Sequence, residues 1–130
     1  MAERQDARAI KLGEHGVERV VEYEAARGRI AEPQPHNNKG FDVISCRPDG
    51  SDRRVIEVKA TARDWPDRGV PVSDSQIDKN RELGDEFWLY VVEHPEDPEQ
   101  ARVTAIQNPV ALADYFAFDP GWRALGQPQS

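Results

Sequence analysis

Asp42, Glu57 and Lys59 are the residues of this chain whose types and spacing could do chemistry together. Pro48-Asp49-Gly50-Ser51 separates two runs rich in β-branched residues, Phe41 to Cys46 and Arg54 to Thr61, and Asp-Gly between two such runs is a strong hairpin signal. If Asp49-Gly50 forms a two-residue turn, paired positions sum to 99 and Asp42 lies opposite Glu57, with Cβ atoms roughly 4.5–5.5 Å apart on one face. Residues two apart share a face, so Lys59 joins them, diagonal to Asp42 and opposite Gly40. Phe41, Val43, Ile56 and Val58 take the other face, which suits a core. Opposed carboxylates repel unless something compensates them. A divalent cation does so and a lysine alongside helps; hard cations such as Mg²⁺ take oxygen ligands, one or two carboxylates with water and substrate phosphate. The plainer alternative makes Glu57 and Lys59 the wet side of an amphipathic strand and Asp42 a turn residue, since a one-residue slip sends Asp42 to the opposite face.

The elements that must position these residues follow from periodicity and breakers. From Asp6 to Arg27 the pattern is helical, with Ile10, Gly13, Val17, Val20 and Val21 on one face and Gly28 as the stop. Ala31 to Lys39, with two prolines and Asn37-Asn38, reads as a loop. Ala62 to Pro71 is a polar loop containing Trp65-Pro66; Ser73 caps a helix to Leu83, and Gly84-Asp85 ends it. Phe87 to Glu93 is a buried strand and Arg102 to Ile106 a shorter one, with the acidic turn Pro95 to Gln100 between them. Pro109 suits the start of a short helix through Phe116. The order predicts a mixed α/β fold, one sheet with helices packed on it, as a single domain over residues 1–130.

Composition sets the bounds. At 130 residues the chain buries roughly two-thirds of its unfolded surface, enough for a core without disulfides. A mean hydropathy of -0.77 and no apolar run near ~18 residues exclude a transmembrane span, and the N-terminus lacks a signal-peptide core, so a cytoplasmic location is expected. Cys46 is a lone cysteine, and no Cys/His spacing suggests zinc. His15, His36 and His94 lie in unrelated segments and read as surface or loop residues. The net charge of -7 argues against nucleic acid at first sight, but residues 81–130 hold three basic and nine acidic groups, and so carry six of the seven excess charges. Arg47, Arg53, Arg54, Lys59, Arg63 and Arg68 fall within 22 residues, a distribution that permits a nucleic-acid partner without requiring one.

Phe41-Asp42-Val43, a short hairpin, then Ile56-Glu57-Val58-Lys59 resembles the D…E-x-K signature of the PD-(D/E)XK nuclease superfamily. More narrowly the chain resembles the NO VEIN C-terminal-type domain. Gly16-Val17-Glu18 with Tyr23-Glu24, Gly40 to Ser45, Arg54 to Thr61, Ser73, and Gly84 to Val92 are similar to that family's successive elements, from Ile10 to Ile106. Gly16-Val17-Glu18 departs from the family's more usual adjacent Gly-Glu pair.

The resemblance implies a restriction-endonuclease-like core, a central mixed β-sheet flanked by helices, and an endonuclease that uses Mg²⁺ or Mn²⁺ on DNA. Asp42 and Glu57 would bind the metal with the Val58 carbonyl as a further ligand, and Lys59 would position the attacking water or stabilise the transition state. Glu18 would complete the site from the first helix. At about 100° per residue it lies about 100° from the centre of the apolar face, while Glu24, the alternative, falls almost on that centre. Gln76 resembles an auxiliary polar residue beside the lysine, with an exposed helical glutamine as the plainer alternative. Arg47, Arg53, Arg54, Arg63 and Arg68 would meet phosphates. Trp88 reads as core, and Trp65 as either a nucleic-acid contact or a cover for the sheet. Such domains usually end larger multidomain proteins, which makes a helicase or restriction-system protein, or a second copy, a candidate partner. The rival readings are an inactive nucleic-acid-binding or protein-recruitment module with the same fold, and an RNA nuclease.

Overall fold

Residues 2–35, 41–66, 69–111 and 117–118 are described in the computed structural model. Helix α1 runs Ala2–Ala26, with Val20 fully buried, and ends where Gly28 turns to φ 77°. There the Arg29 N–H returns to the Glu24 carbonyl at 2.9 Å, a helix stop that glycine permits at little steric cost. The chain then enters strand β1 (Ile30–Pro33), which overlaps the segment from Ala31 expected to be a loop. Four mostly exposed residues closed by a proline carry no alternation, and proline is tolerated there because β1 is an edge strand. Residues 36–40, with His36 and Gly40, lie outside the described residues, as does the expected pairing of Lys59 with Gly40.

Strands β2 (Val43–Cys46) and β3 (Arg54–Thr61) pair antiparallel as Val43↔Ile56, Ile44↔Val55 and Ser45↔Arg54, the expected register. The turn is longer than two residues. The Arg47 N–H donates to the Ser51 carbonyl at 2.9 Å and the Gly50 N–H to the Arg47 carbonyl at 2.8 Å, with Gly50 and Asp52 both at positive φ.

β4 (Val70–Pro71) and α2 (Asp74–Leu83) lie on the long crossover from β3 to β5 (Phe87–Glu93), which pair parallel with Glu57 beside Leu89. α2 starts at a capping box between Ser73 and Gln76 and stops at Gly84. β6 (Arg102–Gln107) adds antiparallel to β5, giving a sheet ordered β1-β2-β3-β5-β6. β5 is an interior strand buried along all its length, which explains the apolar run from Phe87 to Val92. A short strand β7 (Ala117–Phe118) pairs with β4. Of the helix expected from Pro109, residues Pro109–Ala111 form a 3₁₀ turn, and 112–116 lie outside the described residues.

Each face of the sheet carries its own core. Val43, Ile56, Val58, Trp88, Tyr90 and Val92 pack beneath α1. Leu89, Val91 and Ile106 pack beneath Trp65 and Val70, so Trp65, only 3% exposed, covers the sheet. α1 crosses β3 closely at Gly16, where an added Cβ would stand 2.8 Å from the Ala60 Cβ. Among the described residues no helix is long and apolar enough to cross a membrane.

Candidate active site

Asp42 sits one residue before β2, and β3 continues past it. Its N–H donates to the Ile56 carbonyl at 2.7 Å, and its Oδ2 accepts the Val58 N–H at 2.9 Å. A strand residue directs its N–H and C=O to the same edge, so the Val58 carbonyl opens on the side where Asp42 sits. Glu57 is 5% exposed and hydrogen-bonded to the Asp42 side chain, and Lys59 Nζ stands 3.7 Å from its Oε1. Burial first, then the charge of Asp42, push the Glu57 carboxyl up to about 8, with Lys59 pulling the other way. The fold therefore brings Asp42, Glu57 and Lys59 together.

These carboxylates open into a cavity of about 330 Å³, with Asp42, Glu57 and Val58 on the sheet side and Gly13, Glu14 and Val17 of α1 facing them. The helix carboxylate at the cavity is Glu14, and Glu18 is not among the lining residues. Glu18 has a side chain 67% exposed that lies 3.5 Å from His15 Nδ1. The wheel angle that favoured Glu18 fixes direction about the helix axis but not height along it. Four residues carry Glu18 about 6 Å beyond Glu14. An adjacent Gly-Glu pair at Gly13-Glu14 was the sequence signal for this residue.

Glu24 is fully buried away from the cavity, 3.4 Å from Arg29 Nε and 3.9 Å from Arg54 Nη1. Gln76 closes the α2 capping box, its Oε1 accepting the Ser73 N–H at 2.9 Å. Arg54 points into the protein: its guanidinium lies 4.0 Å over the Trp88 ring and donates to Tyr90 Oη at 2.7 Å. Burial, with Glu24 nearby, pushes the Tyr90 phenol up, so it stays protonated. Arg47 and Arg53 are exposed and pair with Asp52 and Glu86, Arg63 is exposed beyond β3, and Arg68 lies outside the described residues. His94 Nε2 meets Asp64 Oδ1 at 2.7 Å, clear of the lining of the cavity.

No cluster of three or more His, Cys, Asp or Glu side chains that could hold a metal occurs among the described residues. The described residues lining the cavity include no histidine or cysteine, the ligands that soft and imidazole-preferring metals take. Two adjoining carboxylates with a backbone carbonyl beside them are hard oxygen donors, and Mg²⁺ and Mn²⁺ take such donors and fill their remaining positions with water. The donor set fits that class of cation, with Asp42, Glu57 and the Val58 carbonyl to hold it.

The family model for the C-terminal domain of protein NO VEIN matches residues 13–106. No curated protein matches the chain in sequence. Among solved structures it is similar to Hjc, a Holliday junction resolvase from the archaeal hyperthermophile Archaeoglobus fulgidus. The TM-score is 0.57 at 16% identity, over 85% of this chain and 93% of that one. At that identity the likeness speaks to the fold, which is the restriction-endonuclease-like fold of PD-(D/E)XK nucleases. On the match across residues 13–106, the chain belongs to the NO VEIN C-terminal domain family and carries a PD-(D/E)XK nuclease-type fold.

Proposed function

We propose that this domain, taken as one unit over residues 1–130, hydrolyses phosphodiester bonds in DNA with Mg²⁺ or Mn²⁺ held by Asp42, Glu57 and the Val58 carbonyl. One observation carries the reading: a carboxylate 5% exposed is kept against a second carboxylate and a lysine at the edge of a cavity. A purely structural element gains nothing from that repulsion, and a cation site needs it. When bound, the cation offsets phosphate charge and makes bound water a better nucleophile.

The protein's own groups do the rest. The Val58 N–H fixes the Asp42 carboxylate in place. Glu57 gives up its proton as the site is loaded, helped by Lys59 at 3.7 Å. Lys59 then directs its ammonium to the negative charge that develops on the phosphate. Glu14, across the cavity, accepts a proton from the attacking water or orients it. Arg47, Arg53, Arg63 and Arg68 are proposed as phosphate contacts, the surface pairs of Arg47 to Asp52 and Arg53 to Glu86 being weak enough to exchange for phosphate. The likeness to a Holliday junction resolvase makes branched DNA one substrate to assay. A helicase or restriction-system protein, or a second copy, is the partner proposed, in the cytoplasm.

A recruitment module of the same fold is the second reading, favoured by the nine acidic groups against three basic in residues 81–130. DNA binding measured with Ca²⁺ as a non-catalytic ion separates the two. Under the nuclease reading Ca²⁺ raises affinity, and Asp42→Asn/Glu57→Gln loses most of that response while binding better than wild type without metal. Metal-independent binding that the double substitution leaves unchanged favours recruitment. Cleavage assays on plasmid, linear and single-stranded DNA and on RNA then define the substrate.

A further inference from the structure

We infer that the helix side of the cavity is a subsite for one unpaired nucleoside of the substrate strand, base and sugar, seated against Gly13 beside the scissile phosphodiester. The inference rests on the nuclease reading and names its substrate class. A glycine inside a helix is destabilising relative to alanine, so each one needs a physical reason. Gly16 has one in packing, because a Cβ there would stand 2.8 Å from the Ala60 Cβ and 3.3 Å from Val58 Cγ1. Gly13 has none: a Cβ there would meet no atom within 4 Å, and the residue borders the cavity. A helix that keeps a glycine with no packing role at the wall of a cavity keeps room for what enters it.

The chemistry of the wall says what enters. Around Gly13 it is apolar, formed by Ala9, Ile10, Val17 and Pro33, and Ile10 is left 56% exposed. Among the described residues, the charged ones lining it are the carboxylates of Glu14, Asp42 and Glu57, with no lysine or arginine. A phosphate has nothing to hold it on the helix side, whereas an uncharged base with its sugar can cover the apolar wall. The volume, about 330 Å³, lies at the small end of ligand pockets and suits one nucleoside rather than a duplex. A base inside a duplex is stacked and cannot enter a recess beside its own backbone without unpairing. Single strands, frayed ends and branch points should therefore be preferred over continuous duplex.

The test is binding by fluorescence anisotropy in Ca²⁺ to a single-stranded oligonucleotide and to a blunt duplex of the same sequence. Wild type should bind the single strand about tenfold more tightly, as expected when no unpairing is needed. Gly13→Leu should lose about tenfold on the single strand and erase the preference, since its side chain occupies the subsite. Gly13→Ala should raise the melting temperature, because alanine is the better helix former, while weakening single-strand binding to a lesser degree. Both variants should keep the Mn²⁺-induced rise in melting temperature. Single-strand affinity unchanged in both variants, or equal wild-type affinity for the two DNAs, overturns the subsite when that Mn²⁺ rise is intact and leaves the nuclease reading standing. A wild type with no Mn²⁺ response and no cleavage of any nucleic acid overturns the nuclease reading and the subsite with it.

Discussion

The Val58 N–H donates to Asp42 Oδ2 at 2.9 Å, so a side chain carries the β2–β3 ladder one step past Val43. The same bond that continues the sheet aims a carboxylate at Glu57. Asp42→Ala removes the acceptor and should cost about 1–3 kcal/mol through the unsatisfied donor. Asp42→Asn keeps an acceptor and removes the charge that raises Glu57. Without metal, at about pH 8, it should melt at or above wild type, while losing the Mn²⁺-induced gain. Melting curves of the three proteins with and without Mn²⁺ check both statements, and an Asp42→Ala protein more stable than Asp42→Asn refutes the first.

Glu57 also sets a pH dependence. Its native value of about 8 lies above the ordinary 4.5, so between the two the folded state holds a proton that the unfolded chain has released. Its contribution to stability is complete below the ordinary value and lost as pH rises through about 8. Relative to Glu57→Gln, metal-free wild type should lose at least ~5 °C in melting temperature between about pH 5 and about pH 8. Cations compete with that proton, so the Mn²⁺ gain should grow over the same window. A difference curve flat in pH would remove the proton from Glu57.

Much of this was legible in the sequence, and the misses have specific causes. The hairpin register could be read because the turn, though longer than two residues, stays centred on Asp49-Gly50, so Val43 still pairs with Ile56 and Ser45 with Arg54. β5 and α2 could be read from an apolar run and from a cap serine with a glycine stop. β1 could not, because an exposed four-residue edge strand has no periodicity to display. Counting charge along the chain groups Arg54 with the surface cations. Strand alternation already puts it on the face of Ile56 and Val58, where the structure has it. Gln76 likewise stands three residues after a cap serine, the spacing of a capping box.

The choice of helix carboxylate is a kinetic prediction. Glu14 lines the cavity with Asp42 and Glu57, whereas Glu18 lies outside it beside His15. Glu14→Gln should reduce cleavage by about 10²-fold, in the range for removing a proton-transfer group, and Glu18→Gln by less than about twofold. Steady-state rates on the best substrate, with melting temperatures as the control for folding, decide it. A silent Glu14→Gln with a severe Glu18→Gln would return the role to Glu18.

Arg54 and Arg63 should separate stability from DNA binding. The Arg54 guanidinium covers Trp88, bonds Tyr90 and stands 3.9 Å from a Glu24 carboxylate that has no exposure at all. Removing one partner of a buried pair leaves a charge uncompensated at a cost of about 3–5 kcal/mol. Arg29, 3.4 Å from the same carboxylate, remains as a second partner, so the loss in Arg54→Met should be nearer about 2–3 kcal/mol. Adding Glu24→Gln should recover part of it, because the charge left behind is then gone. DNA affinity of the folded Arg54→Met protein should be close to wild type. Arg63 is exposed past the end of β3, so Arg63→Ala should leave the melting temperature alone while weakening DNA binding and lowering its salt slope by about one. Melting curves and salt-dependent titrations in Ca²⁺ measure both. The reverse pattern, with Arg54→Met weakening DNA binding at an unchanged melting temperature, would place Arg54 back on the DNA surface.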